Sequence, residues 1–522
     1  MIIISANTVV QAASVSNLVT PVSYFINHVV PLDNLKNNLE KYKQTSIVGT
    51  SGIGKTQLTR MYAYENKDKY SLIWFIDCNF NLKQEFLKLA KTINQLSKKQ
   101  LVSEDLAIIE EEVINYLSTL DNWLLVFDNN KTKGNLILQK FIKLKHNGHV
   151  IFCSQDSQGL PYVVKVKEFT KKDAAVLAGY ILKDNSVQDV NFLIEEFKGY
   201  PVLIVQGAQI LNNVKGLSNV KYKKMIKETD NKIKLNIELC MKELSTSAKA
   251  LLQKIALINN QRFSKNMLRM ITNNKENFDD DIYQLSRFLL ISNIDSNKDD
   301  PVFEMHDVIA ETLQGMNTKI KNQQYLEEMI SNILEKSFPK GVAERQIFRT
   351  ASTIIENLQI ILRNAEKYKI NLSKILEVKI ELLGISVDVG DYNSSQKLIE
   401  WFEEKNRNKE FNLDQMNNHE KVLYVWYLST TGFYNMVALS NPIKAIEYYI
   451  KAKEIAVSID GYEDMKFNVT YQIFRAQLEL GQIKFAQNTL EEAYKIYEIG
   501  IKNNTINSSE MRYFILVEQG YF

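Results

Sequence analysis

Proline and cysteine are among the residues this chain has least of. Only 7 prolines and 19 glycines punctuate 522 residues, which argues against a sheet-rich or disordered chain and for helices. The three cysteines, Cys78, Cys153 and Cys240, are odd in number and far apart. With no C-x-x-C spacing they supply neither a disulfide framework nor a thiolate metal centre, and they read as buried thiols in a reducing compartment. Net charge is small as well: 64 basic against 61 acidic residues leave +3, so no global attraction to nucleic acid or membrane follows. No apolar run reaches the ~18 residues that a bilayer-spanning helix needs. The first 20 residues are apolar and rich in small side chains, yet they lack a basic start and are broken by Ser5, Asn7 and Gln11. They read as a flexible arm or a short packing segment, with a cleaved signal as the alternative. The expected compartment is the cytoplasm.

What is present is an ordinary globular composition, 45% hydrophobic and 24% charged, in a chain long enough for about three or four domains. Its most informative stretch is Ile47 and Val48 running into G-x-x-x-x-G-K-T at residues 49–56. Glycines let backbone N–H groups curl round a polyphosphate where a Cβ would collide. Lys55 is placed to reach the terminal phosphates and the Thr56 hydroxyl to ligate Mg²⁺. Residues 57–66 can run as a helix whose N-terminal dipole faces the anion. The candidate nucleotide-binding residues here are Gly49, Ser51, Gly52, Ile53, Gly54, Lys55, Thr56 and Gln57. The competing reading is a glycine-rich turn that binds nothing.

Three short apolar runs follow: residues 72–76, residues 124–127 ending in Asp128, and residues 150–153 ending in Ser154 and Gln155. Between the first two, Phe86, Leu89, Ala90 and Ile93 recur at helical spacing. Continuous apolar strands alternating with helices give a doubly wound α/β domain. Its ligands bind at the carboxyl ends of the strands, where Lys55, Asp128 and Gln155 would converge. Asp128 fits the acid that holds Mg²⁺, although many strands end in Asp as a cap or turn residue. Trp74 and Phe75 are expected in the core.

Several further motifs form a series. They are GKTQL after the loop, SLIWFIDC, LLVFDN, VIFCSQ, VKEFTKKDAAVLAGYIL, Gly199-Tyr200-Pro201, LSTSAKALLQKIAL and Met305-His306-Asp307. Together, over residues 30–318, they resemble the STAND nucleotidases, in particular the NB-ARC (AP-ATPase) class. The resemblance implies a P-loop domain, a small helical domain and a winged-helix domain closed round ADP. It also implies that Pro201 packs on the adenine and that His306 contacts the β-phosphate. Departures from the pattern bear on turnover. Asn129 stands where a second acid is usual, and it cannot accept a proton as a carboxylate does. Gln155 stands where arginine is usual, and it brings no charge to a γ-phosphate. The usual entry motif is replaced by Val29, Val30, Pro31, Leu32 and Asp33. Nucleotide binding with slow or absent turnover is therefore expected, at most a slow P-loop ATPase acting through Lys55 and Asp128.

From residue 319 the pattern is helical and resembles tetratricopeptide (TPR) repeats. Ala445 and Ala452 are seven apart, and Ala486 and Ala493 repeat that spacing about 41 residues later, with Ser395 at a matching place upstream. Residues 511–521 read as the first helix of another repeat, leaving Phe514, Ile515, Leu516 and Phe522 partly uncovered, as in a truncated array or one covered by a partner. The expected domains are an arm at 1–27, a P-loop domain at 28–164, a helical domain at 165–235, a winged-helix domain at 236–318 and a helical array at 319–522. Lysine runs at 221–224, 232–234 and 319–321 read as solvated faces, with nucleic-acid contact as the sharper alternative. The sequence thus points to an ADP/ATP switch that uses Mg²⁺ at Thr56 and Asp128. Its array would sense a protein or ligand, and its ATP form would oligomerise. The rivals are a DNA-binding regulator of the same architecture, an energy-coupled ATPase and a degenerate scaffold. The signal sensed and the effector are not legible.

Overall fold

The computed structural model describes residues 15–26, 29–78, 82–97, 106–120, 122–130, 140–142, 147–184, 186–258, 260–273, 276–295, 300–336, 352–370, 372–388, 390, 392–408, 412–503 and 505–506. They form two compact units, one within Met1–Arg269 and Asn274–Thr318, the other within Met270–Asn273 and Lys319–Phe522. The expected terminal half-repeat at 511–521 lies outside the described residues.

The first unit is built on strands β1 (Val15–Ser16), β2 (Gln44–Val48), β3 (Leu72–Asp77), β4 (Trp123–Asn130), β5 (His149–Ser154) and β6 (Val163–Lys165). They lie in the order β1-β3-β4-β5-β2-β6, and every pairing is parallel. Helices α1 (Val29–Tyr42), α2 (Lys55–Glu65), α3 (Leu82–Ser97) and α4 (Leu106–Thr119) accompany it. The sheet has a separate core on each face, and the strands show why. Successive side chains of a strand point to opposite faces. Trp123, Leu125 and Phe127 join Leu72, Trp74, Val150 and Phe152 on one face, with Phe86 and Ile93 of α3. Leu124 and Val126 join Ile73, Ile151 and Cys153 on the other, with Leu35 of α1 and Leu58 of α2. A strand buried on both sides cannot alternate apolar with polar, which accounts for the continuous runs in the sequence.

Parallel pairing places the carboxyl ends of four strands along one edge. Asp77 is in register with Asp128, and Ser154 pairs with both Val48 and Asn130. Because β5 lies between β2 and β4, the loop after Val48 and the carboxylate of Asp128 flank the end of β5.

Next come α5 (Lys171–Ile181), α6 (Val187–Phe197), α7 (Pro201–Asn213), α8 (Asn219–Glu228) and α9 (Lys232–Glu243). Thr170 caps α5: its hydroxyl oxygen accepts the Asp173 N–H at 3.2 Å and donates to the Asp173 carboxylate at 2.7 Å. Pro201 occupies the first turn of α7, where a missing N–H has no consequence. Then follow α10 (Thr246–Ile255), β7 (Phe263–Ser264), α11 (Lys265–Met270), α12 (Phe278–Arg287), β8 (Ser292–Asp295), β9 (Val302–Glu304) and α13 (Asp307–Met316). The three short strands make an antiparallel sheet in the order β7-β9-β8.

The arm at 1–27 is described from residue 15, and from there it packs. Val15 and Ser16 add an edge strand to β3, and the Asn17 side chain both donates to the Phe75 carbonyl at 2.8 Å and accepts the Phe75 N–H at 2.7 Å.

The second unit consists of α14 (Lys319–Lys336), α15 (Ser352–Lys367), α16 (Leu372–Asp388), α17 (Tyr392–Arg407), α18 (Asn418–Val437), α19 (Pro442–Val457), α20 (Glu463–Glu479) and α21 (Ile483–Lys502). From α18 onward each helix packs chiefly on its sequence neighbour. The small residues sit at the crossings: Ala445, Ala452, Ala486 and Ala493 are fully buried, as is Ser395. A Cβ at Gly432 of α18 would lie 2.5 Å from the Tyr449 ring of α19, so close approach depends on that glycine. Among the described residues no helix is long and apolar enough to cross a membrane.

Candidate functional site

The loop after β2 wraps tightly for stated reasons. The Gly49 N–H donates to the Ser154 carbonyl at 3.2 Å, and a Cβ on Gly49 would stand 2.7 Å from the Val166 carbonyl oxygen. Gly52 and Gly54 take φ of 81° and 100°, the left-handed region that glycine enters without penalty. Gly54 caps α2 without a side-chain bond, so the first N–H groups of the helix are not claimed by a cap. The helix runs from Lys55 to Glu65 rather than over residues 57–66, because the turn at Gly54 lets it start at once.

Lys55 lies along the loop, its Nζ donating to the carbonyls of Gly49 at 2.8 Å and Thr50 at 2.9 Å. Burial lowers its pKa, opposed by Cys153, Asp128 and Asp307. Asp128 is buried at the end of β4 and accepts hydrogen bonds from the Thr56 hydroxyl and the Asn129 N–H. Burial nevertheless raises its pKa, against those bonds and the nearby charges of Arg60 and Lys55. The buried Asp128 carboxylate with the Thr56 hydroxyl beside it is an oxygen donor set of the kind that a hard divalent cation takes. Thr56 and Asp128 are only two ligating side chains, a number suited to Mg²⁺ that keeps phosphate and water as its other ligands.

The Met305-His306-Asp307 turn carries a third group to the loop. Met305 is buried and anchored by its N–H to the Asn260 carbonyl at 2.6 Å, while Asp307 accepts from the side chains of Asn260 and Gln261. His306 is thereby set as the cap of α13, its Nδ1 accepting the Val308 N–H at 3.2 Å. That bond fixes the neutral ring with its proton on Nε2, a free donor type for an anion. A Cβ built on Gly52 would lie 3.6 Å from His306 Cε1, 3.3 Å from Tyr200 Cε1 and 2.9 Å from Val202 Cγ1. The loop is therefore roofed by residues from α7, its preceding turn and the β9–α13 turn. His306 is exposed, yet crowding by protein around its ring lowers its pKa against the raising effect of Asp307 and Glu304, with Lys55 adding to the depression.

The sign of that shift gives a pH dependence. As pH falls below the unfolded histidine value of ~6.5, the unfolded chain takes up a proton that the folded ring resists, so stability declines toward acid. Thermal melts of the unliganded protein between pH 8 and 5.5 are expected to show a steeper acid loss for the wild type than for His306→Gln. Equal slopes would contradict the lowered pKa of His306.

Beside the loop is a half-open cavity of about 80 Å³. Ile53, Gly54, Gln57 and Leu58 form its floor, and Val22, Tyr24, Phe25 and Ile26 of the arm form one wall. Pro201 and Val205 of α7, with Val166, Phe169 and Leu177, close it. Its lining is almost wholly apolar. The arm is held there by the Val22 N–H, which donates to Gln57 Oε1 at 3.1 Å.

Lys55, Thr56, Asp128, His306 and Pro201 thus lie around one loop. Gln155, directly after β5, is exposed. Asn129 has φ 54° and donates to Asp77 Oδ1 at 3.2 Å, so its side chain is directed to the end of β3. The sequence argument missed Tyr200, the arm wall and Arg60. The Arg60 guanidinium on α2 makes a two-pronged ion pair with Glu304 of β9, at 3.0 and 2.8 Å. Tyr24, its pKa pushed up to about 12 by burial and by Glu304, belongs to the same neighbourhood.

No protein-family model matches the chain, and no curated protein matches it. Solved structures are similar at low identity. A signal transduction ATPase with numerous domains (STAND) and a tetratricopeptide repeat sensor, from Pyrococcus horikoshii, is 14% identical over 92% of this chain and 78% of its own, with a TM-score of 0.45. A Walker-type ATPase of Pyrococcus abyssi is 17% identical over 56% of this chain and 97% of its own, with a TM-score of 0.30. Cdc6p of Pyrobaculum aerophilum is 11% identical over 55% of this chain and 93% of its own, with a TM-score of 0.26.

Proposed function

We propose that this chain is a nucleotide-controlled switch whose first unit closes round a purine nucleoside diphosphate. The observation that carries the reading is the roof over Gly52, made by Tyr200, Val202 and His306, next to an apolar cavity floored by the same loop. A flat base fits the apolar cavity against Pro201, and the uncapped N–H groups of α2 with Lys55 suit the phosphates. Thr56 and Asp128 would hold Mg²⁺, whose charge offsets that of the phosphates and of the buried carboxylate. The neutral His306 ring would donate from Nε2 to a phosphate, tying the 236–318 module, of winged-helix type, onto the nucleotide. Contacts of this kind, present only when the modules are closed, are what let a ligand shift an equilibrium. Asn129 offers no carboxylate base, which favours slow turnover. The helical array would sense a protein or small ligand and favour an open, ATP-bound form that assembles with further copies.

Calorimetric titration with ADP tests this, in Mg²⁺ and again in EDTA. Wild type is expected to bind in both and more tightly with Mg²⁺. Asp128→Asn should bind equally in both, and Lys55→Ala should lose about ten- to a hundredfold in affinity, as for a charged hydrogen bond. No binding by the wild type would leave a scaffold that holds no nucleotide.

A further inference from the structure

We infer that the Tyr200 hydroxyl is the group that tells two phosphates from three at this loop, an inference that rests on the nucleotide reading above. The cavity touches the loop and helix at Ile53, Gly54, Gln57 and Leu58. A nucleotide whose base lies there extends its phosphates away from that end, across Lys55. Its last phosphate arrives on the opposite side of the loop, at Thr50 and Ser51. That place is taken by Tyr200: its hydroxyl donates to the Ser51 carbonyl and lies 3.1 Å from the Thr50 hydroxyl. A diphosphate leaves this contact intact. A third phosphate needs the space at Thr50 and Ser51 that the phenol holds, and the phenol must give way.

The turn that carries the ring is held: Gly199 before it has φ 76°, Pro201 after it opens α7, and the Tyr200 N–H donates to the Phe197 carbonyl at 2.8 Å. The hydroxyl leaves its place by rotation of the side chain, which takes the ring away from Gly52 and opens the roof that it shares with Val202. Other candidate sensors are less well placed. Gln155 is exposed and uncharged, Asn129 is turned to Asp77, and Lys55 serves either nucleotide.

The test compares Mg²⁺-ADP with the Mg²⁺ complex of the β,γ-imido analogue of ATP, which removes turnover from the comparison. Wild type is expected to favour ADP by about tenfold, the ratio that one hydrogen bond supports. Tyr200→Phe keeps the ring and loses the hydroxyl. It should tighten the triphosphate so that the ratio approaches one, with ADP affinity changed by less than about twofold. Thr50→Val, which removes the neighbouring hydroxyl, should move the ratio the same way. An unchanged ratio in Tyr200→Phe, or a parallel loss of both affinities, overturns the assignment while leaving the nucleotide reading in place. If the wild type binds neither ligand, both readings fall.

Discussion

Gly199→Ala is expected to destabilise the first unit by about 3–5 kcal/mol, the sum of a strained backbone and an overpacked contact. Gly199 has φ 76°, and a Cβ there would stand 2.2 Å from the Phe169 carbonyl oxygen. That carbonyl cannot retreat freely, since the Phe169 N–H donates to the Gly199 carbonyl at 2.9 Å and the two segments are locked together. The alanine would push apart the turn that sets Tyr200 over the loop and Pro201 in the cavity wall. Nucleotide affinity should fall along with the melting temperature. Gly216→Ala is the matched control: φ is 68°, and nothing lies within 4 Å of the added carbon. It should cost about 1 kcal/mol through backbone alone. Equal losses in the two variants would show that the contact with Phe169 does not hold in solution.

The second large effect concerns the Arg60–Glu304 pair. Both side chains are largely withdrawn from water, 9% and 15% exposed, and they join the helix after the loop to the strand that leads into His306. Removing one partner of such a pair leaves the other charge buried, here with only Asp128 and Asp77 among the described residues nearby to offset Arg60, and typically costs about 3–5 kcal/mol. Glu304→Ala is therefore expected to lower stability by that order, read from denaturant unfolding. The β9–α13 segment should come away from α2, seen as faster hydrogen exchange over residues 302–316. Replacing both partners, Arg60→Met with Glu304→Leu, should recover most of the loss, because an apolar pair needs no compensation. A double variant as unstable as Glu304→Ala would mean that the packing, and not the charge, was at fault.

The contrast between these residues shows what the sequence could disclose. The strand, loop and helix around residue 49 are written locally, as an apolar run, spaced glycines and a lysine, so their order was legible. The parallel sheet was legible for the same reason, since the middle stretches of β3, β4 and β5 are buried on two faces and run apolar without alternation. The arm was harder to read. Its edge strand is two residues long, and the backbone pairing there is reinforced by the Asn17 side chain bonded to Phe75, a contact that no periodicity announces. Arg60 and Glu304 are 244 positions apart, and each alone reads as an ordinary surface charge. Tyr200 sat inside a tripeptide whose glycine and proline drew attention, while the hydroxyl that reaches Ser51 depends on how α7 enters the fold. Gln155 was legible as the residue that follows β5, and the structure leaves it exposed there.

Hydrogen exchange with and without Mg²⁺-ADP addresses the clamp most directly. If one nucleotide holds the loop and the 236–318 module together, ADP slows exchange over residues 49–58 and over residues 302–316 at the same time, and Lys55→Ala abolishes both effects. Protection of the loop alone, with residues 302–316 unchanged, would contradict closure through His306. No protection in either segment would contradict nucleotide binding itself.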